Sequence, residues 1–276
     1  MTGPLAHLRF LEPAPGILAW YDGRVAGYRT DPAPNWVDDG AIAVGIASYA
    51  VVDGDQALVY DTHVSVAHGR RIRADLEARG VRDFTVVLSH WHLDHVAGTE
   101  AFADCEVIAN IRTAAHLEAR REGIEAGTDK GPPAIRPLIL PSTTFDSHRA
   151  LTVGDRVVEL IGANIHSDDA TVIWLPDGGT LLAGDTLEDP ATYVCEPQDF
   201  AAHLADLDRL AALGARAILP NHGDPARIAA GGYGPGLIGA TRRYVRWLMA
   251  LRDDPARADT PLSQVIRDDL EAGHLV

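Results

Sequence analysis

Residues 84–95 read Phe84-Thr85-Val86-Val87-Leu88-Ser89-His90-Trp91-His92-Leu93-Asp94-His95. The first five form a short, continuously apolar run, the pattern of a strand covered on both faces. Four of the six side chains from His90 onward can bind metal ions. Imidazoles and carboxylates are costly to bury unpaired, so a strand ending in this run has to leave its sheet where a cleft opens. A random chain with 12 histidines in 276 residues would contain H-x-H-x-D-H about 0.002 times. His90 and His92 are two apart, so in extended backbone they project to the same side and can grip one cation. Asp94 and His95 fall where the backbone turns, ahead of a short helix expected over Gly98–Phe102, and so point elsewhere. One turn can thus feed two adjacent cations.

The surrounding pattern is α/β. Ala41–Tyr60 reads as two β-rich runs, AIAVGIASYAVV and ALVY, joined at Asp53-Gly54, a hairpin signal. His68–Arg79 has one apolar stripe through Ile72 and Leu76, with Gly80 placed to end a helix. Residues 123–141 are rich in glycine and proline and read as a long surface connection, a place for a boundary between halves. Strands are expected at Leu151–Val153, Arg156–Ile161, Thr171–Leu175, Thr180–Ala183 and Ala217–Leu219. Helices are expected at Phe200–Leu213, Leu237–Arg252 and Leu262–Ala272. Several strand pairs are joined by tight turns, which a purely parallel sheet does not allow, so a mixed-sheet α/β sandwich fits best.

With its ordered partners downstream, the H-x-H-x-D-H turn resembles that of the metallo-β-lactamase superfamily of hydrolases, over roughly residues 40–225. His166 in Asn164-Ile165-His166-Ser167-Asp168-Asp169, Asp185 in Leu181-Leu182-Ala183-Gly184-Asp185, and His222 in Leu219-Pro220-Asn221-His222-Gly223 match its later ligand positions. The resemblance implies a four-layer αββα sandwich of two mixed β-sheets flanked by helices. It also implies one domain over residues 1–276, with a metal-binding core at about 40–225 and a helical C-terminal extension at about 236–276. His90, His92 and His166 would hold a first metal and Asp94, His95 and His222 a second, with Asp185 bridging. A hydroxide shared by the two would attack a small ester, lactone, thioester or amide, and Asp94 would hold or relay the proton. The donor set suits two divalent ions, Zn²⁺ first, with manganese or iron compatible. The commonest zinc β-lactamases have cysteine where Asp185 stands, so the resemblance is stronger to hydroxyacylglutathione hydrolases and acyl-homoserine lactonases. Asp61 falls where the family often has an aspartate that braces the metal loop. Tyr193, eight residues after Asp185, is a candidate oxyanion donor to substrate, although its spacing differs from that of related lactonases. Alternatives are a phosphodiesterase acting on a small substrate, single-iron oxidative chemistry, and a non-catalytic metal-dependent binding protein.

Composition narrows the partners. Acidic residues outnumber basic ones 39 to 24, for a formal charge of -15, a field that repels nucleic acid and anionic lipid. The expected partner is a small molecule, with neither nucleic acid nor membrane, and with homo-oligomerisation open. Two cysteines, Cys105 and Cys195, and a start at Met1–Pro15 without a basic-then-apolar segment point to the cytoplasm. Cys195 has no partner in a nucleophile motif and reads as a plain thiol. His7, His63, His68, His116, His148, His203 and His274 match no ligand position and read as surface or core residues. Residues 229–236 read as a flexible glycine-rich connection, and Arg242, Arg243 and Arg246 as a solvated helix face.

Overall fold

The computed structural model describes residues 3–276. Its twelve strands are β1 (Arg9–Ala14), β2 (Ile17–Asp22), β3 (Ile46–Asp53), β4 (Gln56–Tyr60), β5 (Asp83–Val87), β6 (Glu106–Asn110), β7 (Thr143–Phe145), β8 (His148–Val153), β9 (Arg156–Ala163), β10 (Ala170–Leu175), β11 (Thr180–Gly184) and β12 (Ala217–Pro220). The helices are α1 (Val66–Glu77), α2 (Leu93–Val96), α3 (Ile111–Ala126), α4 (Phe200–Ala212), α5 (Pro225–Ala229), α6 (Gly236–Asp253), α7 (Leu262–Val265) and α8 (Arg267–Glu271).

β1 to β7 lie side by side in chain order in one sheet, and β12-β11-β10-β9-β8 form the other. Both are mixed. β1 to β4 pair antiparallel and β4 to β7 parallel, while β11 and β12 are the parallel pair of the second sheet. Alternation along each strand sorts the side chains into layers. From β4, Leu58 and Tyr60 face the second sheet and meet Leu160, Ile173 and Leu182. Ala57 and Val59 face outward onto Ile72 and Leu76 of α1 and Leu117 of α3. On the far side, Val172, Trp174 and Leu181 pack against Leu207 and Leu210 of α4 and Val245 of α6. The result is the αββα sandwich.

Several expectations are revised. The first sheet begins at Arg9, because β1 and β2 continue it ahead of residue 40. Ala41–Val44 is helical, part of a wide turn that opens at Val37. The Asp38 carboxylate accepts from Thr30 N, Thr30 Oγ1 and Asp31 N and holds that turn, and the strand starts only after Gly45, in the left-handed region at φ 76°. β6 and α3 are additional to the expected elements. α3 runs into the presumed connection and stops at Gly127 (φ 71°). Beyond it, Ile135 and Leu138 are buried in the same core as α3, so part of this stretch packs inward and is not a plain surface connection. In the glycine-rich stretch Tyr233 is buried and bridges to Ile218, so the segment is fixed in place. Arg243 and Arg246 keep to the expected solvated face, Arg243 pairing there with Asp269, while Arg242 is half-buried and pairs with Asp208.

Candidate metal centre

The seven side chains singled out by sequence come from the ends of strands in both sheets. β5 leads into a bend that carries His90, His92 follows it in extended backbone, and α2 begins at Leu93 and carries Asp94 and His95, whose ring centre lies 4.2 Å from that of His90. His166 lies between β9 and β10, Asp185 directly after β11, and His222 after β12. Gly184 takes φ 57° where β11 ends, and a Cβ there would stand 2.7 Å from the Tyr60 hydroxyl. Only glycine lets β11 turn Asp185 inward at that spot.

The structure brings these residues together in two groups. Each of His90, His92, His166 and Asp185 offers one donor atom, all within 4.8 Å of one another, and so do Asp94, His95 and His222. In the first, His92 Nδ1 lies 2.9 Å from His90 Nε2 and 3.0 Å from His166 Nε2. In the second, Asp94 Oδ2 lies 3.4 Å from His222 Nε2 and 3.6 Å from His95 Nε2. Asp185 Oδ2 joins them, at 3.0 Å from His95 Nε2, 3.2 Å from His222 Nε2, 3.6 Å from His90 Nε2 and 3.7 Å from His166 Nε2.

Four of the five imidazoles are held from behind at their other nitrogen. His95 Nδ1 meets Asp61 Oδ2 at 2.8 Å, His90 Nδ1 meets Ser89 Oγ at 2.9 Å, and His222 Nδ1 meets the Gly45 carbonyl at 2.6 Å. His166 Nδ1 faces two acceptors, the Tyr193 carbonyl at 2.7 Å and Glu188 Oε1 at 3.1 Å. Such partners fix the tautomer and leave the inward nitrogen free to ligate. Asp61, fully buried at φ 64°, also accepts from Ser89 N and Asn221 Nδ2, so it braces the loop as expected. Trp91, between the two inward histidines, faces away and is covered by the Arg120 guanidinium, 4.0 Å from its ring centre.

The electrostatics are those of a site built for positive charge. Burial, with the neighbouring imidazoles, pushes His90 well below the usual histidine range and His92 down to about 3, leaving both neutral. Burial also opposes charge on His95 and His222, but Asp185 and Asp94 outweigh it and lift both well above the usual range. Burial works against the Asp94 carboxylate too, yet His95 and His222 hold it down to about 2. Asp185 Oδ1 is buried with no hydrogen-bond partner. Five imidazoles, two carboxylates and an orphaned oxygen fit a pair of divalent cations.

Tyr193 stands at the rim, 69% exposed, with its ring centre 6.1 Å from that of His166. The structure engages its backbone through His166 and Glu188. Glu188 was not among the residues expected from sequence, since an acid three positions after Asp185 carries no local signal. Among the other histidines, His203 is buried and spans the carbonyls of Asn164 (2.5 Å) and Glu196 (3.0 Å). His63 and His68 are buried and stacked, ring centres 4.3 Å apart, with His68 Nε2 on Asp22. Burial pushes the Cys195 thiol up to about 12, in keeping with an inert thiol.

Residues 42–222 match the model of the Metallo-beta-lactamase superfamily. A linear primary-alkylsulfatase of Pseudomonas sp. (strain ATCC 19151) is 24% identical over 208 residues, 61% of this chain and 39% of that protein. The matched region therefore spans about two fifths of that relative's length. Among solved structures, the DIM-1 metallo-beta-lactamase exposed to ceftazidime superposes with a TM-score of 0.63 at 20% identity, covering 87% of this chain and 97% of that one. A metallo-beta-lactamase from Pontibacter korlensis gives 0.63 at 16%, covering 87% and 99%. The mono-zinc form of FIM-1 from Pseudomonas aeruginosa gives 0.64 at 15%, covering 90% and 98%. These structural likenesses speak to the fold, and the family match covers most of the chain, including every one of the seven clustered side chains. The chain belongs to the metallo-beta-lactamase superfamily.

Proposed function

We propose that the chain hydrolyses a small ester, lactone, thioester or amide with the help of two divalent cations, zinc in the first instance. His90, His92 and His166 would hold one and Asp94, His95 and His222 the other, with Asp185 between them. Bound there, the cations supply Lewis acidity and lower the pKa of a water from 15.7 to about 7. The observation that carries this reading is the single oxygen, Asp185 Oδ2, within 3.7 Å of imidazole nitrogens from both groups.

The chain's own residues supply the rest. Asp94 keeps 18% of its side chain exposed while the histidines around it are buried, so its carboxylate is the one on the cleft side. There it can take a proton from the attacking water and pass it to the leaving group. The Tyr193 hydroxyl, on the rim, can donate to the oxyanion that develops on the substrate. Among the described residues no helix is long and apolar enough to cross a membrane. With the net negative charge, this favours a small molecule as partner and the cytoplasm as the place of action.

The purified protein is expected to carry two equivalents of metal per chain, and His92→Ala to abolish hydrolysis with the far-ultraviolet dichroism unchanged. A panel of nitrophenyl esters, lactones, alkyl sulfates and bis-nitrophenyl phosphate separates the substrate classes. Turnover of alkyl sulfates alone would favour a second reading, suggested by the alkylsulfatase likeness, and of the phosphate alone a phosphodiesterase. A protein without tightly bound metal and without turnover on any of them overturns the proposal.

A further inference from the structure

Glu188 lies on the loop that follows Asp185, with its side chain 12% exposed. Its Oε1 accepts from the Tyr193 N–H at 3.1 Å and lies 3.1 Å from His166 Nδ1, which also has the Tyr193 carbonyl at 2.7 Å. Its own N–H donates to Thr192 Oγ1 at 2.9 Å, and that hydroxyl donates to the Thr186 carbonyl at 3.3 Å. The loop is thus closed on itself around one carboxylate. That carboxylate touches the one imidazole of the first group that the H-x-H-x-D-H turn does not supply. Next to Glu188, the Asp189 N–H donates to the His222 carbonyl at 3.1 Å, so the same loop also lies against the second group.

We infer that Glu188 is a positioning residue: it holds the His166 ring with its inward nitrogen free and, through the same oxygen, sets the Tyr193 rim against that ring. This rests on the proposed ligand role of His166. A carboxylate behind a ligating imidazole fixes its orientation and raises its basicity, and removing such a group typically weakens metal binding by 10- to 100-fold. Glu188 reaches only the first group, so its loss acts on one cation of the two. Asp61 is its counterpart behind His95 in the second.

Glu188→Gln keeps an acceptor oxygen in place and removes the charge; Glu188→Ala removes both. Zinc is titrated into the metal-free proteins against a chromophoric chelator. The expected result is two equivalents in the unmodified chain, one of them weakened about 10-fold in Glu188→Gln and about 100-fold in Glu188→Ala, the other unchanged. Glu188→Gln keeps the test open if the alanine variant does not fold. Two unchanged equivalents in both variants, or an equal loss in each, overturn the inference. A readout in the metal-free state separates it from the hydrolase reading. The downfield Nδ1–H resonance of His166, assigned by its loss in His166→Gln, is expected to move upfield in Glu188→Gln and to broaden through exchange in Glu188→Ala. If zinc fails to bind but this resonance responds, the metal reading falls and the positioning role stands; an indifferent resonance sinks the role itself.

Discussion

Asp61 shows how much one buried side chain carries here. Its two oxygens accept from Ser89 N and His95 Nδ1 in the segment after β5 and from Asn221 Nδ2 after β12. Replacing it with alanine leaves three donors without acceptors inside the protein. At roughly 1–3 kcal/mol for each unsatisfied buried group, with some relaxation, Asp61→Ala is expected to cost about 3 kcal/mol. Urea unfolding of the metal-free protein measures this, and a loss under about 1 kcal/mol would contradict it. Asp61→Asn, which tolerates the left-handed backbone and keeps one acceptor, should lose less. At this scale the sequence was highly legible: all seven residues of the ligand motif meet. What stayed hidden was the shell behind them. Glu188, Ser89 and the Gly45 carbonyl act through contacts that no spacing rule announces, because they depend on how loops from the two sheets meet.

Among the elements, α1 and the loop before it meet the segment after α2 at close range. A Cβ on Gly98 would stand 2.0 Å from the Thr62 carbonyl oxygen, and one on Gly69 would stand 2.4 Å from that of Gly98. Gly98 has φ -89°, which any residue can adopt, so the constraint is space and not backbone freedom. Gly98→Ala is expected to destabilise by about 2–3 kcal/mol, read from the thermal midpoint, whereas Gly40→Ala, with nothing within 4 Å, serves as the neutral control. The segment from Glu188 to Phe200 adds a pH dependence. Burial, with Asp168 and Asp169 nearby, pushes Glu196 up to about 7 from 4.5. The folded protein therefore holds this proton more tightly than the unfolded chain, and stability from this group is present below pH 4.5 and lost as pH rises through 7. Glu196→Gln should raise the thermal midpoint at pH 8 and leave it unchanged at pH 4.5; an equal effect at both would refute the assignment. Long, well-patterned elements such as β9, β10, α4 and α6 could be read from sequence within a few residues. Ala41–Val44 could not, since its helical turn is decided by Asp38 and its partners at Thr30 and Asp31. Nor could the order of residues 229–236, which comes from Tyr233, whose hydroxyl donates to Asp189 Oδ2 at 2.7 Å.

For the whole molecule, the proposed ligand set makes cation binding and folding one equilibrium, because the seven side chains assemble only when both sheets are in place. A ligand at a thousand times its dissociation constant adds about 4 kcal/mol, which corresponds to a rise of about 10 °C in a chain of this size. Zinc added to the chelated protein should produce a shift of that order, followed by calorimetry, and no shift would mean that the folded state binds zinc no better than the unfolded one. The mixed pairing was legible because tight turns between neighbouring strands rule out a purely parallel sheet, whereas the four-layer order came from the family resemblance. The extension of the first sheet back to Arg9 was not, since β1 is half exposed and weakly patterned.

Three phenols tie the layers together beside the centre: Tyr60 reaches the Thr171 carbonyl at 2.5 Å, Tyr49 that of Pro220 at 2.5 Å, and Tyr21 that of Gly223 at 3.0 Å. All three cross from the first sheet to backbone near His166 or His222. At the other end of β3, some 20 Å along the strand at about 3.3 Å per residue, Asp53 instead receives the Asp155 N–H from the turn between β8 and β9. Buried phenols therefore cross the sandwich at the end that holds His166 and His222, while at the other end half-exposed polar side chains cover the buried contacts of Ile17, Val51 and Val153. Evolution, or an engineer inserting a reporter, has a free hand at the Asp53 and Asp155 turns, where added chain can grow without loosening the hinge pins that keep the chemistry in register.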